Sequence, residues 1–281
     1  TISEVVDNAF RYALKPRAGA AFISMPQDIS LTKTSLGAPK PAALISFGSA
    51  LGQDIEAAAS LLNAARCPVL LLGEGASRPE NTTAIRALLK KHPFPAITTF
   101  QGAGTLSRDL LDLFYGRVGL FKNEPGDILL AQADLVMTIG FNPIEYDPEN
   151  WCNETGKKII HLAYQQVDIH RVYSPDVEVL GDIPANLSQL SKKLKAKKIK
   201  VSNKVCKAKS ALEKTIAAGA NMTGPRIHPL RFMHELRQVI DDDTRILCDM
   251  GTIHMWLARY FFCYQPHHLM FSNGQQTLGV G

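Results

Sequence analysis

The sequence lacks the features that would place it in a membrane, in a disulfide-bonded scaffold or among zinc-binding domains. No apolar run reaches the ~18 residues that a bilayer-spanning helix needs. No signal-peptide pattern opens it. The five cysteines are widely scattered and form no CxxC pair, a distribution typical of a reducing cytosol. We therefore expect a cytoplasmic protein with no membrane partner.

The sequence also lacks the signs of a nucleic-acid-binding protein, although its net charge is +5. Much of the basic charge lies in a lysine-rich run from Lys192 to Lys209. A nucleic-acid surface would need interleaved aromatic residues or a known fold motif, and this run has neither. The run is typical of a solvated interdomain linker that passes into a helix.

What the sequence does contain is an alternation of short apolar segments and helical patterns. The apolar segments predict buried parallel strands at 68–73, 94–99, 134–140, 157–163 and 177–180. The helical patterns lie at 53–66, 79–91, 127–133 and 183–194. This alternation predicts an α/β fold, with a Rossmann-like parallel sheet and helices on both faces.

The central domain is flanked by parts of two further α/β domains. Before it, the pattern predicts a helix over 3–14 and a strand over 20–24. After it, helices are expected at 212–220, 229–240 and 254–262, and strands at 245–248 and 269–271. The predicted organisation has four parts. Residues 1–35 end a first domain, 36–195 form the central domain, 196–225 form a linker and a helix, and 226–281 are the start of a third domain.

The two ends of the sequence suggest an interior piece of a longer protein. Thr1 opens without Met directly into an amphipathic run, and the last ten residues form a Gly-rich loop of the kind that precedes a helix. We therefore expect any function to belong to the parent protein.

Three predicted strand ends in the central domain offer loops at the edge where open parallel sheets bind ligands. The loop 73–79 carries two glycines, a serine and an arginine before a helix, a composition that suits a phosphate or an ordinary connection. It is not GxGxxG, so the dinucleotide fingerprint is absent. The loop 99–104 has small residues that permit close approach of another chain or a ligand. The loop 140–148 is expected to be rigid and exposed, and its Glu145 and Asp147 form a solvated turn more readily than a metal site.

The third-domain part contains a stronger candidate. A predicted strand ends at Asp249, and Gly251 stands just before a helix, where free N–H groups and the helix dipole favour a diphosphate. The loop 272–281 also follows a strand, so the two loops could hold two parts of one cofactor. His254 lies in this helix, and we assign it no catalytic role.

Several long motifs resemble one family. Residues 17–28 (RAGAAFISMPQD) resemble the end of the pyrimidine-binding domain of thiamine-diphosphate enzymes. The stretches 116–127 (GRVGLFKNEPGD), 140–151 (GFNPIEYDPENW), 249–260 (DMGTIHMWLARY) and 272–279 (SNGQQTLG) are similar to catabolic acetolactate synthase. The resemblance extends over essentially the whole chain.

The resemblance implies an enzyme that condenses two pyruvates into 2-acetolactate and releases carbon dioxide, using thiamine diphosphate and Mg2+. It implies a homotetramer, with active sites between the first domain of one subunit and the third domain of another. Anabolic relatives also bind FAD in the middle domain and carry an Arg-Phe-Asp-Asp-Arg signature. This chain instead has Phe141, Asn142, Pro143, Ile144 and Glu145 in that region, which favours the branch without FAD.

The resemblance also implies roles for individual positions. The residues that match the lining of the cofactor's diphosphate end are Met250, Gly251, Thr252 and Ile253. Gln276 matches a residue whose backbone meets the aminopyrimidine, and Leu278 matches the bulky apolar residue that supports the bent cofactor. Gln101 is expected to face the active site across a subunit boundary, along the substrate channel.

Other functional parts of the family fall outside the chain under this resemblance. The activating glutamate would lie upstream of Thr1, and the Gly-Asp-Gly…Asn metal motif would lie downstream of Gly281. We therefore expect no catalytic residue and no metal ligand within the 281 residues, and no activity from them alone.

Two alternatives remain open at this point. One is another thiamine-diphosphate enzyme, either an FAD-containing acetohydroxyacid synthase or a pyruvate oxidase. The other is a non-catalytic nucleotide-binding module with a Rossmann-like sheet. Flavin absorbance would favour the first alternative, and tight ADP or FAD binding by the piece would favour the second.

Overall fold

The computed structural model describes residues 2–15, 18–35, 37, 46–152, 156–168, 171–271 and 279. Contacts between residues divide the chain into two units, Thr1–Gly48 and Ser49–Gly281. Over the described residues, none of the helices has the length and apolar character to cross a membrane.

The first unit contains two helices, α1 (Ile2–Ala13) and α2 (Gln27–Leu31). The predicted first helix is confirmed. The predicted strand over 20–24 is wrong, because these residues form no ladder with any described part of the chain. A strand needs a hydrogen-bonded neighbour to pair its backbone groups.

The second unit is built on a six-stranded sheet in which every pair of neighbouring strands is parallel. Its strands are β1 (Pro68–Leu72), β2 (Ala96–Thr98), β3 (Phe114–Arg117), β4 (Leu135–Ile139), β5 (Lys158–Ala163) and β6 (Val177–Leu180). Their order in the sheet is β3-β2-β1-β4-β5-β6. The chain thus winds outward in both directions from β1 and β4, which is the doubly wound order.

Helices cover both faces of this sheet, as the alternation predicted. They are α3 (Gly52–Ala64), α4 (Pro79–Lys91), α5 (Pro125–Gln132), α6 (Ile183–Lys193) and α7 (Asn203–Ala218). Strand β1 shows why two layers are needed: Leu70 and Leu72 pack with α3, α4 and α6, whereas Val69 and Leu71 pack with α5. Alternate side chains of a strand point to opposite faces, so a strand that is apolar throughout must be covered twice.

The rest of the unit adds α8 (Pro229–Val239), β7 (Ile246–Cys248), α9 (Thr252–Tyr260) and β8 (Leu269–Phe271). Strands β7 and β8 pair in parallel and form a separate small sheet. Its apolar cluster includes Leu257, Phe261 and Leu269, and Ala103 from the loop after β2 also belongs to it.

Strand β3 was not predicted. Its residues show no apolar run, since Gly116 and Arg117 follow Tyr115, and it pairs with only β2 at the edge of the sheet. An edge strand of four residues carries too little pattern to be distinguished from a loop.

The lysine-rich run is not a solvated linker along its whole length. The ammonium group of Lys197 donates to the carbonyl oxygens of Leu62, Asn63 and Ala65 at the end of α3. Lys209 donates to the carbonyl of Leu111 at 2.7 Å, and α7 begins nine residues before its predicted start. Lys197 thus places a cation at the C-terminal end of α3, where the last carbonyl groups have no intrahelical donor, and Lys209 adds a second donor to Leu111 O, which also accepts from Phe114 N.

Candidate functional site

The loops after β1 and β4 meet backbone to backbone at the point where the strand order reverses. Gly73 N donates to Ile139 O at 3.0 Å, and Gly75 N donates to Gly140 O at 2.8 Å. A Cβ on Gly73 would overlap the Cα of Phe141 and the carbonyl of Gly140. A doubly wound sheet places ligands at this position, which we call the switch-point crevice.

The carboxylate of Glu145 lies in the switch-point crevice and joins three loops. Its Oε2 accepts hydrogen bonds from Glu74 N at 2.8 Å and from Thr99 Oγ1 at 2.6 Å. Its Oε1 accepts from Asn142 N at 2.8 Å. The backbone N–H after β1, which would face a bound phosphate, therefore faces a side chain of the protein itself.

Two opposing effects act on the ionisation of this carboxyl. Burial raises the pKa of Glu145 to about 7, and the hydrogen bonds from Thr99, Asn142 and Glu74 counteract part of that rise. Removal from water disfavours the charged form, whereas donors aimed at the oxygens favour it. The crevice thus holds a carboxyl group that titrates near neutral pH.

The expectation of an exposed loop over 140–148 holds only in part. Ile144 is 88% exposed and Asp147 is also exposed, whereas Phe141 and Pro148 are buried and Glu145 points inward. Asp147 instead accepts a hydrogen bond from Glu149 N at 2.9 Å in a local turn. The two acids of this loop therefore have different hydrogen-bond partners. No group of three or more His, Cys, Asp or Glu residues in the described ranges could hold a metal ion.

The loop after β2 contacts another segment of the same chain. Gly104 has φ +84°, and a side chain there would overlap the carbonyl of Gln265. Arg86 donates to the carbonyls of Gly104 and Tyr264 at 2.8 and 2.6 Å. The close approach was predicted for another chain or a ligand, whereas here the segment of the same chain between α9 and β8 makes it, and Gln101 remains exposed.

The second candidate loop, after β7, leads into the N-terminus of α9. Gly251 is the residue before the helix and has φ +145°, a conformation that favours glycine. No atom of the described residues lies within 4 Å of a Cβ placed on it, and Thr252 and Ile253 are exposed. The first N–H groups of a helix have no intrahelical acceptors, so this open N-terminus can receive an anion.

The structure also brings part of the last loop to this position. Gly279 N donates to Asp249 Oδ2 at 2.8 Å, so the loop that follows β8 meets the loop that follows β7. Gln276 and Leu278 lie outside the described residues. Of the predicted diphosphate residues, Met250 is half-buried and precedes Gly251 at the open helix end.

The six-stranded sheet coincides with a known family. Residues 55–190 match the family model described as thiamine pyrophosphate enzyme, central domain. This match runs from the first turn of α3 into α6 and includes every strand of the sheet. Residues 55–190 therefore belong to the central-domain family of the thiamine pyrophosphate enzymes. The predictions of the family and of the α/β fold class are confirmed.

The curated relatives that this chain matches along its length include acetolactate synthases. The chain is 44% identical to acetolactate synthase of Bacillus subtilis (strain 168) over 99% of this chain and 49% of that relative. It is 36% identical to the catabolic acetolactate synthase of Raoultella terrigena, over 99% and 50%. Identity to the isozyme 1 large subunit of Escherichia coli (strain K12) is 24%, over 100% and 49%. The chain spans about half the length of the curated relatives it matches.

Proposed function

We propose that the full-length protein carrying this chain is an acetolactate synthase, which condenses two pyruvates into 2-acetolactate and releases carbon dioxide. The main support is the 44% identity to the Bacillus subtilis acetolactate synthase, which extends over 99% of the chain and not only over the central domain. The aligned region thus extends over α9 and the small sheet.

The open N-terminus of α9 fits the diphosphate of thiamine diphosphate. The groups that would hold it are the backbone N–H groups of Gly251, Thr252 and Ile253, with Met250 beside them. When bound, thiamine diphosphate supplies the nucleophilic carbon and the electron sink that decarboxylation of a 2-keto acid requires. The chain's part is to bind the negative charge and to fix its position, since partial positive charge accumulates at a helix N-terminus. We propose Mg2+ as the counter-ion, because a diphosphate carries more charge than these N–H groups neutralise.

We propose that the protein uses no FAD. A flavin pyrophosphate in the switch-point crevice would meet the Glu145 carboxylate, which already accepts the hydrogen bond of Glu74 N. The approach of Gly73 to Phe141 leaves no space for a phosphate between the loops after β1 and β4. The same geometry disfavours a nucleotide-binding module. The proposed absence of FAD also accords with the sequence identities, since the chain is 36% identical to the catabolic relative and 24% identical to the isozyme 1 large subunit.

Three further features belong to this proposal. The enzyme is a cytoplasmic homotetramer, and Gln101 lies along the path of pyruvate. The backbone of Gln276 meets the aminopyrimidine, and Leu278 supports the bent cofactor. The exposure of Gln101 next to a loop at the carboxyl edge of the sheet is compatible with a subunit boundary.

The test uses the purified full-length protein with pyruvate, thiamine diphosphate and Mg2+. We expect acetolactate formation that depends on the cofactor, from a preparation without flavin absorbance. Gly251→Val is expected to weaken thiamine diphosphate binding by about tenfold, because a β-branched side chain strains a positive φ and crowds the helix end. Gly156→Val is the matched control, since Gly156 also has a positive φ and no atom of the described residues lies within 4 Å of a Cβ placed on it.

Two results would contradict the proposal. Acetyl phosphate or acetaldehyde in place of acetolactate would assign the protein to another thiamine-diphosphate reaction. Stoichiometric flavin in the purified protein would show that the crevice accepts FAD despite Glu145.

A further inference from the structure

The C-terminal end of α9 is held by a buried arginine from the central sheet. Arg117 ends β3, and its Nη1 donates to the carbonyl oxygens of Ala258 at 2.8 Å and Phe261 at 2.9 Å. Carbonyl groups in the last turn of a helix have no intrahelical donor. Arg117 therefore supplies the hydrogen bonds that this end of α9 would otherwise lack.

The charge of Arg117 suits this position. Burial lowers the pKa of Arg117 to about 10, so the guanidinium remains a cation at neutral pH. A cation at the negative end of a helix dipole is favourable, and hydrogen bonds from a charged donor are stronger than those between neutral groups.

An ion pair holds the same turn of α9 from another side. Arg259 lies 2.6 Å from Glu124 Oε1, and the Glu124 side chain is 8% exposed. Glu124 is the N-cap of α5, where it forms a capping box with Asp127. The last turn of α9 is thus joined both to the edge strand β3 and to the start of α5.

The opposite end of α9 is the candidate diphosphate site. The helix has nine residues, Thr252–Tyr260, so its ends are about 13 Å apart at 1.5 Å per residue. A short helix moves as a rigid element. A contact that fixes its C-terminal turn therefore also sets the position of the N–H groups after Gly251.

We propose that Arg117 is a positioning residue for thiamine diphosphate, which acts by fixing α9 against β3 so that the N-terminus of α9 is placed for the diphosphate. This inference rests on the proposed function. It assigns to the central domain a part in cofactor binding, although the central domain does not itself touch the diphosphate in this account.

The test uses three variants of the full-length protein. Arg117→Met keeps an unbranched apolar stem but removes the guanidinium, so two carbonyls lose their donor, and Arg117→Lys retains the charge. Arg108→Met is the matched control. Arg108 also links the central domain to the third-domain part, through Asp242 at 2.7 Å, but it does not contact α9.

We expect the dissociation constant for thiamine diphosphate to rise about tenfold in Arg117→Met, less in Arg117→Lys, and less than about twofold in Arg108→Met. The KM for pyruvate, measured at saturating cofactor, is expected to stay within about twofold of the parent in all three. If Arg117 were only structural, its substitution would lower thermal stability, and cofactor affinity would not change more than the KM for pyruvate. Hydrogen exchange without cofactor supplies a second readout, in which the amides of α9 exchange faster in Arg117→Met than in Arg108→Met.

The outcomes separate this inference from the proposed function. If the parent protein does not bind thiamine diphosphate, the proposed function fails before any variant is measured. A folded Arg117→Met protein with the affinity and exchange rates of Arg108→Met would overturn the positioning role. If Arg117→Met does not fold, Arg117→Lys decides: equal affinity to the Arg108→Met control overturns the proposal, and weaker affinity supports it.

Discussion

The hydroxyl group of Tyr173 lies 2.9 Å from Thr138 Oγ1 and 3.0 Å from His161 Nδ1. All three residues are buried, and Thr138 and His161 are direct partners across β4 and β5. Phe141 and Trp151 pack against the Tyr173 ring, and Phe141 belongs to the loop that carries Glu145. Through the contact of Tyr173 with Phe141, this polar network packs against the loop that carries Glu145.

Tyr173→Phe is expected to lower the free energy of unfolding by about 1–3 kcal/mol, because Thr138 and His161 each lose a buried hydrogen bond to the tyrosine hydroxyl. Urea denaturation measures the effect. Tyr12→Phe, which removes a hydroxyl from an exposed ring, is expected to change stability by less than about 0.5 kcal/mol. Equal effects of the two substitutions would show that the network contributes nothing.

The tight contact of the crevice loops gives a second prediction. Gly73→Ala is expected to destabilise the protein by about 1–3 kcal/mol, because its Cβ would overlap the backbone at Phe141 and Gly140. Gly52→Ala, in the first turn of α3 with open surroundings, is expected to be neutral or slightly stabilising. The melting temperatures of both variants measure the effect. An unchanged melting temperature for Gly73→Ala would argue against the contact.

The raised pKa of Glu145 predicts a dependence of stability on pH. The folded state holds this proton up to about pH 7, whereas the ordinary pKa is 4.5. The folded state thus binds more protons between these values, and the stability contributed below pH 4.5 is lost as the pH rises through 7. We expect this decline, on the order of 2–3 kcal/mol, in the parent protein.

Glu145→Gln removes the titrating group and is the variant for comparison. The difference in unfolding free energy between the parent protein and Glu145→Gln should fall between pH 4.5 and pH 7. Parallel pH profiles for the two proteins would contradict the assignment of the raised pKa.

The lysine-rich run supplies a prediction whose control is the neighbouring residue. Lys197→Met is expected to cost about 1–2 kcal/mol, because three carbonyls at the end of α3 lose a charged donor. Lys198→Met changes the net charge by the same amount at an exposed position and is expected to be nearly neutral. Equal melting temperatures of the two variants would restore the interpretation of a solvated linker.

The elements that could be predicted from sequence are those with complete local signals. Helix α4 was predicted with its observed bounds, since Pro79 suits the first helical position and Ile85, Leu88 and Leu89 recur at helical spacing. Strand β8 was also predicted with its observed bounds. Strand β3 depends on pairing with β2 rather than on its own pattern, so single-sequence reasoning had nothing to detect.

The candidate site divides in the same way. Gly251 before a helix is a local signal, and the structure places it at the open end of α9. The partners of Glu145 lie 46 residues away at Thr99 and 71 residues away at Glu74, and only the fold brings them together. The sequence indicated the role of Glu145 only through an acidic residue in a loop that follows a predicted strand, in a domain without a GxGxxG motif. The contact of Arg117 with Ala258 spans 141 residues and left no sequence signal.

The most direct test of the account is the ratio of acetolactate to carbon dioxide formed from pyruvate by the full-length protein, with thiamine diphosphate and Mg2+ and without added flavin. The account predicts one acetolactate for each carbon dioxide, and loss of both products when the cofactor is withheld. Release of carbon dioxide without acetolactate, or dependence of either product on added FAD, would contradict it.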